Sequence, residues 1–172
     1  MAQVARKFTY YAEALTCALE EEFMGEGHFQ ALADHHDGSA RQAFLLMAAI
    51  ERAVIVALEP AICRNGLQLR DPEALRAEGR AEAEQLRGMT WSDFLDHVTE
   101  DYPAFLHEFE QVARLAPPED VADAQLLIDH EIALIDFAAA CQRGDADSLD
   151  ILAAFLARVT HGVGAPADAG RV

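Results

Sequence analysis

The sequence predicts an all-α protein: a four-helix bundle with one long crossover containing an extra helix, and a short C-terminal helix. Three observations predict it. Alanine is abundant and strand-forming residues are concentrated nowhere, which favours helix throughout. Apolar residues recur at spacings of three and four in four long segments. Caps and breakers set these segments in the order hairpin, long connection, hairpin, short helix, the topology of a bundle with one crossover. The 172 residues suit one domain, placed at 1–160, with a flexible tail at 161–172.

The first helix is expected from about Phe8 to His35. The turn HHDGS follows, with Gly38 as breaker and Ser39 as N-cap of the second helix. That helix runs from about Ala40 to Glu59, where Pro60 ends or kinks it, and Asn65-Gly66 closes the segment. Residues 66–89 contain a helix start at Asp71-Pro72-Glu73: a cap, a proline at the first position, and an acid near the positive end of the dipole. Their high charge and thin apolar stripe read as an exposed connecting helix. Thr90-x-x-Asp93 resembles a capping box and opens a third long segment to about Leu115, in which Pro103 kinks one helix or separates two. Pro117-Pro118 makes a turn, the fourth long helix stops at Gly144, and Ser148 caps a last helix to about Val159.

The formal net charge of −17 excludes nucleic acid and anionic membrane surfaces as partners, because both need clustered Lys and Arg. Three cysteines, odd in number and without C-x-x-C, read as buried reduced thiols in a cytoplasmic protein. Glu13 interrupts any signal-peptide core after Arg6 and Lys7, and no segment approaches the ~20 apolar residues of a membrane span.

Chemistry enters where acids interrupt the apolar stripes. In QAFLLMAAIERAVIVAL the stripe is Phe44, Met47, Glu51, Val54, Leu58, so Glu51 lies in line with the core face and Arg52 points about 100° away. Glu22 and Glu26 interrupt the first helix, Glu131 the fourth, and Asp101 and Glu108 the third segment. In antiparallel pairs, residues equidistant from a turn lie side by side. Glu22 or Glu26 pairs in this way with Glu51, and Asp101 or Glu108 with Glu131, so each long helix offers a carboxylate at mid-height.

EEEFMGEGHFQALA, AAIERAV and DHEIALIDFAAACQRGD resemble the ferritin-like superfamily, in particular its rubrerythrin-type branch, over roughly residues 8–143. Proteins of that family place a Glu on each of two helices and Glu-x-x-His on the other two, binding two metal ions. The resemblance implies Glu22 as the first-helix Glu, Glu51 and Glu131 as the glutamates of the paired motifs, and Asp101 or Glu108 as the remaining acid. Val54 and Leu134 stand where the family has histidine, and no Glu-x-x-His occurs anywhere in the chain. Oxygen-only sites suit Mg, Ca or Mn better than a redox iron pair. His130 at the edge of the core face, His28 two residues beyond Glu26 and His107 beside Glu108 are histidines that could compensate, each otherwise an edge or surface residue. Asp93, His97 and Asp101 form an i, i+4, i+8 ladder that reads as exposed charge pairing. Gly25 and Gly27, inside a helical pattern, read as close helix contact or a local distortion.

The function expected is therefore a degenerate carboxylate site, without standard di-iron chemistry, in a binding or assembly module. On that reading no cofactor is needed, and the protonated glutamates hydrogen-bond to one another or to water. The competing reading is a metal-dependent oxidoreductase with a divalent ion such as Fe or Mn. Its ligand candidates are Glu22, Glu26, Glu51, Asp101, Glu108, His130 and Glu131. The partners allowed are a small molecule in the bundle core and a second copy of the chain; whether the protein is an enzyme is left open.

Overall fold

The computed structural model describes residues 6–163. It contains six helices: α1 (Tyr11–Asp34), α2 (Gly38–Asn65), α3 (Pro72–Gln85), α4 (Trp91–Leu115), α5 (Val121–Arg143) and α6 (Ser148–Val163), with a 3-10 turn at Pro118–Asp120. No strand occurs among the described residues. α1 and α2 form one hairpin and α4 and α5 the other; α2 also packs on α5 and α1 on α4, so the four long helices close into a ring. α3 lies along α1, and α6 covers α2 and α5. The last helix continues past Val159, and the remainder of the expected tail lies outside the described residues.

The ring has three tiers. At one end Phe29, Phe44, Trp91, Phe94 and Phe137 stack, with the Phe44 and Phe94 centroids 4.7 Å apart. At the other, the Arg64 guanidinium donates to Asp120 Oδ1 at 2.6 and 2.8 Å, and Asn65 Nδ2 donates to Asp120 Oδ2 at 2.5 Å. Burying each large apolar side chain in such a core contributes about 1.5–3 kcal/mol. The middle tier carries the polar groups described below.

Local signals explain most boundaries. Asp71 caps α3 by accepting from the Ala74 N–H at 3.2 Å. Thr90 and Asp93 make the reciprocal box: the Asp93 N–H donates to Thr90 Oγ1 at 3.2 Å and the Thr90 N–H to Asp93 Oδ2 at 3.1 Å. Ser39 is not a cap. Gly38, at φ +58°, reverses the chain one residue earlier and leaves Asp37 at the cap position without a side-chain bond. Pro60 does not end α2, whose last turn is held by Arg64 and Asn65 on Asp120. α4 runs unbroken through Pro103.

α3 corrects the expectation of an exposed connector. Its stripe is thin because the two backbones touch. Leu75, Gly79 and Ala83, at i, i+4 and i+8, are buried against α1. A side chain at Gly79 would collide with the Met24 carbonyl, and one at Gly27 with the Arg76 carbonyl. The thiols also differ from expectation: Cys17 and Cys141 are half-buried and Cys63 is exposed, all three free.

Candidate functional site

Three helices bring Glu22 (α1), Glu51 (α2) and His130 (α5) together at mid-height, each 2–4% exposed. One oxygen or nitrogen of each lies within 4.8 Å of those of the other two. His130 Nδ1 is 3.4 Å from Glu22 Oε2, and Nε2 is 3.3 Å from Glu51 Oε1. These are ion-pair distances without directed hydrogen bonds: both ring nitrogens and Glu22 Oε2 are buried with no hydrogen-bond partner. Glu22 and Glu51 meet because they are nearly equidistant from the α1–α2 turn. Gly25 makes room for them. A Cβ there would lie 3.0 Å from Glu51 Cδ and 3.1 Å from its Oε1, so the carboxyl rests on the bare backbone of α1. The two glycines near the acids thus serve close approach, and α1 stays helical through both.

The electrostatics follow from three ionisable groups in one dry space. Burial lowers the affinity of His130 for its proton, but Glu51 and Glu22 outweigh it and hold the ring well above the usual histidine range. Burial also raises both carboxyls. For Glu22 the adjacent imidazolium prevails and carries it below its ordinary value. For Glu51 burial prevails over His130, and the charge of Glu22 pushes further in the same direction.

Glu22, Glu51 and His130 themselves form part of the wall of a cavity of about 270 Å³. Glu131 lines it, with Met24, Tyr102, Phe105, Phe109 and Leu134 as its less polar walls. Glu82, His28 and His97 line it as well. Burial raises the Glu131 carboxyl to about 8, opposed by His130 and assisted by the charges of Glu22 and Glu21. Burial lifts the Tyr102 hydroxyl well above 10.0, and the charges of Glu131 and Glu51 add to it. Burial also brings His28 down to about 4, with the charge of His97 adding to the effect.

The structure thus brings together Glu22, Glu51 and His130, with Glu131 lining the same cavity. Three of the seven expected residues are elsewhere. Glu26 is buried but turned to the α2–α3 side, accepting from Arg52 Nε at 2.7 Å and Arg76 Nε at 2.6 Å. Glu108 accepts from the Arg6 N–H at 2.7 Å and from its guanidinium at 2.6 and 2.9 Å. Asp101 pairs on the surface with His97 Nδ1 at 2.8 Å, as the ladder's plainer reading had it, while Asp93 belongs to the α4 cap.

The cause on α4 is a phase error of one residue. Phe94, Val98, Tyr102, Phe105, Phe109 and Val112 continue the stripe equally well at spacings of four and three, and Phe109 and Val112 are buried. That alternative would have found Tyr102. On α5, His130 and Glu131 flank one stripe, and both are buried. Arg6, the partner of Glu108, carried no sequence signal. No protein-family model, no curated protein and no solved structure matches this chain, so the site stands on its geometry alone.

Proposed function

We propose that this protein is a ferritin-like helical bundle that has replaced the family's two-metal centre with a site for one divalent ion, held by Glu22, Glu51 and His130. The observation that carries the reading is the convergence of these three buried groups from three helices, with both imidazole nitrogens and Glu22 Oε2 lacking directed hydrogen bonds. One atom from each of the three residues lies within 4.8 Å of the other two, a span that donors around a single ion can have; only one of the two His130 nitrogens can serve, since they point to opposite sides of the ring. A mixed oxygen and imidazole set suits Mn, Fe or Zn. Two ions do not fit the residues present. The α4 acids are taken, Glu108 by Arg6 and Asp101 by His97, and α4 offers Tyr102 to the cavity in their place. A bound ion would supply Lewis acidity or redox capacity; the chain's own residues supply charge, orientation and exclusion of water.

The test is elemental analysis of protein purified without chelator, wild type beside Glu22→Gln, Glu51→Gln and His130→Ala. The expected result is one divalent ion per chain, lost in all three variants. A second reading is favoured by the ring nitrogens facing two carboxyls: the imidazolium holds the cluster together with no ion. Metal-free wild type whose thermal stability is unmoved by added Mn, Fe(II) or Zn establishes that reading and rejects the first.

A further inference from the structure

Charge pairing across the interior leaves one acid over. Among the described residues six acids are buried: Glu22, Glu26, Glu51, Glu108, Asp120 and Glu131. Arg52 and Arg76 serve Glu26, Arg6 serves Glu108, Arg64 serves Asp120, and His130 stands between Glu22 and Glu51. Among the described residues Glu131 has no cationic group within ion-pair distance, and its Oε1 is buried without a hydrogen-bond partner. Every other buried carboxyl here has its cation beside it. An unserved one keeps its proton, as Glu131 does, unless a cation enters to meet it.

What can enter is set by the space in front of it. Glu131 lines the 270 Å³ cavity, together with the rings of Tyr102, Phe105 and Phe109 and the apolar side chains Met24 and Leu134. Aromatic faces attract cations and accept hydrocarbon, and such pockets fix a ligand by a few polar groups in a mostly apolar wall. Glu21 and Glu82 also line it, which disfavours anions. We propose that this cavity binds a small primary ammonium compound with an aromatic or aliphatic body, its ammonium group on Glu131 and its body against Tyr102, Phe105 and Phe109. Glu22, Glu51 and His130 line the same cavity, so the ammonium group is placed on the Glu131 side, away from the His130 ring, and the proposal needs no ion on the cluster.

The experiment is calorimetric titration of chelator-treated protein at about pH 8.5, where the Glu131 carboxyl is ionised and a primary ammonium is still charged, with 2-phenylethylammonium chloride and, separately, with its neutral isostere 2-phenylethanol. The ammonium is expected to bind one per chain and at least tenfold more tightly than the alcohol, because charge-assisted hydrogen bonds exceed neutral ones. In Glu131→Gln the two ligands are expected to bind alike. Equal binding of both by wild type overturns the proposal, and this comparison needs no variant to fold. A preference for the ammonium that survives in Glu131→Gln overturns it as well. So does loss of metal from Glu131→Gln under the elemental analysis above, since Glu131 would then belong to the ion. Wild type that never holds metal removes the ion reading and leaves this titration unaffected.

Discussion

At the scale of single residues, the site is governed by who holds the proton. In the folded chain Glu131 keeps its proton to about 8, against an ordinary value of 4.5. Its contribution to stability is therefore present at low pH and lost as pH rises from 4.5 to about 8. His130, raised above 6.5, acts in the same direction: its contribution is full below 6.5 and disappears as pH climbs through its folded value. Glu22, lowered, acts oppositely and loses its contribution as pH falls below 4.5. His28, held down to about 4, acts oppositely up to 6.5, so metal-free protein is expected to lose stability most clearly from pH 6.5 to pH 8, by at most about 1.4 kcal/mol per pH unit per group. Urea unfolding across that range should show a shallower slope for Glu131→Gln; an unchanged slope would mean that Glu131 ionises freely in the native state. The sequence made Glu22, Glu51 and Glu131 legible because each breaks an otherwise apolar stripe. It did not make Tyr102 legible, since a tyrosine in a stripe breaks nothing. It also left Glu26 and Glu108 ambiguous, because a buried acid facing the cluster and one facing an arginine interrupt a stripe in the same way.

At the scale of elements, the α1–α3 contact is the most exacting in the fold. Helix starts at Asp71-Pro72 and Thr90 were readable because capping is local chemistry. The depth of α3 was not, because a Gly in a charged helix signals close packing only once its partner Gly27 is known to lie opposite. Gly79→Ala is expected to destabilise the protein by about 2–3 kcal/mol despite the better helix propensity of alanine, since the methyl meets a backbone carbonyl and not a movable side chain. The change should appear as a lowered denaturation midpoint with little change in denaturant slope. Stabilisation by this substitution would show that α3 lies farther from α1 than described.

At the scale of the molecule, the net charge of −17 coexists with a core in which arginines are turned toward buried acids. The segment before α1 is tied into this scheme: Arg6 joins Glu108 of α4 to Glu21 and stands beside Cys17 on α1. Arg6→Ala leaves Glu108 buried without a cation. The expected loss is about 1–3 kcal/mol, below the usual figure for a buried pair because Arg6 is 41% exposed. Recovery in Arg6→Ala/Glu108→Gln would identify the lost pairing as the cause, and equal instability in single and double variants would refute it. The same view gives Pro103 a meaning. Having no N–H, it leaves the Thr99 carbonyl without its usual helical donor, on the stretch of α4 that carries Tyr102 and Phe105 to the cavity wall. Both ends of the ring are firmly joined, by stacked rings at one and by Asp120 at the other. The α4 ladder, by contrast, is one hydrogen bond short amidships, where Arg6 on Glu108 is the tie to α1. Deuterium uptake should consequently be faster at residues 101–107 than at 94–98, the reverse of ordinary fraying, and equal uptake in the two stretches would show that the missing bond leaves α4 no weaker there.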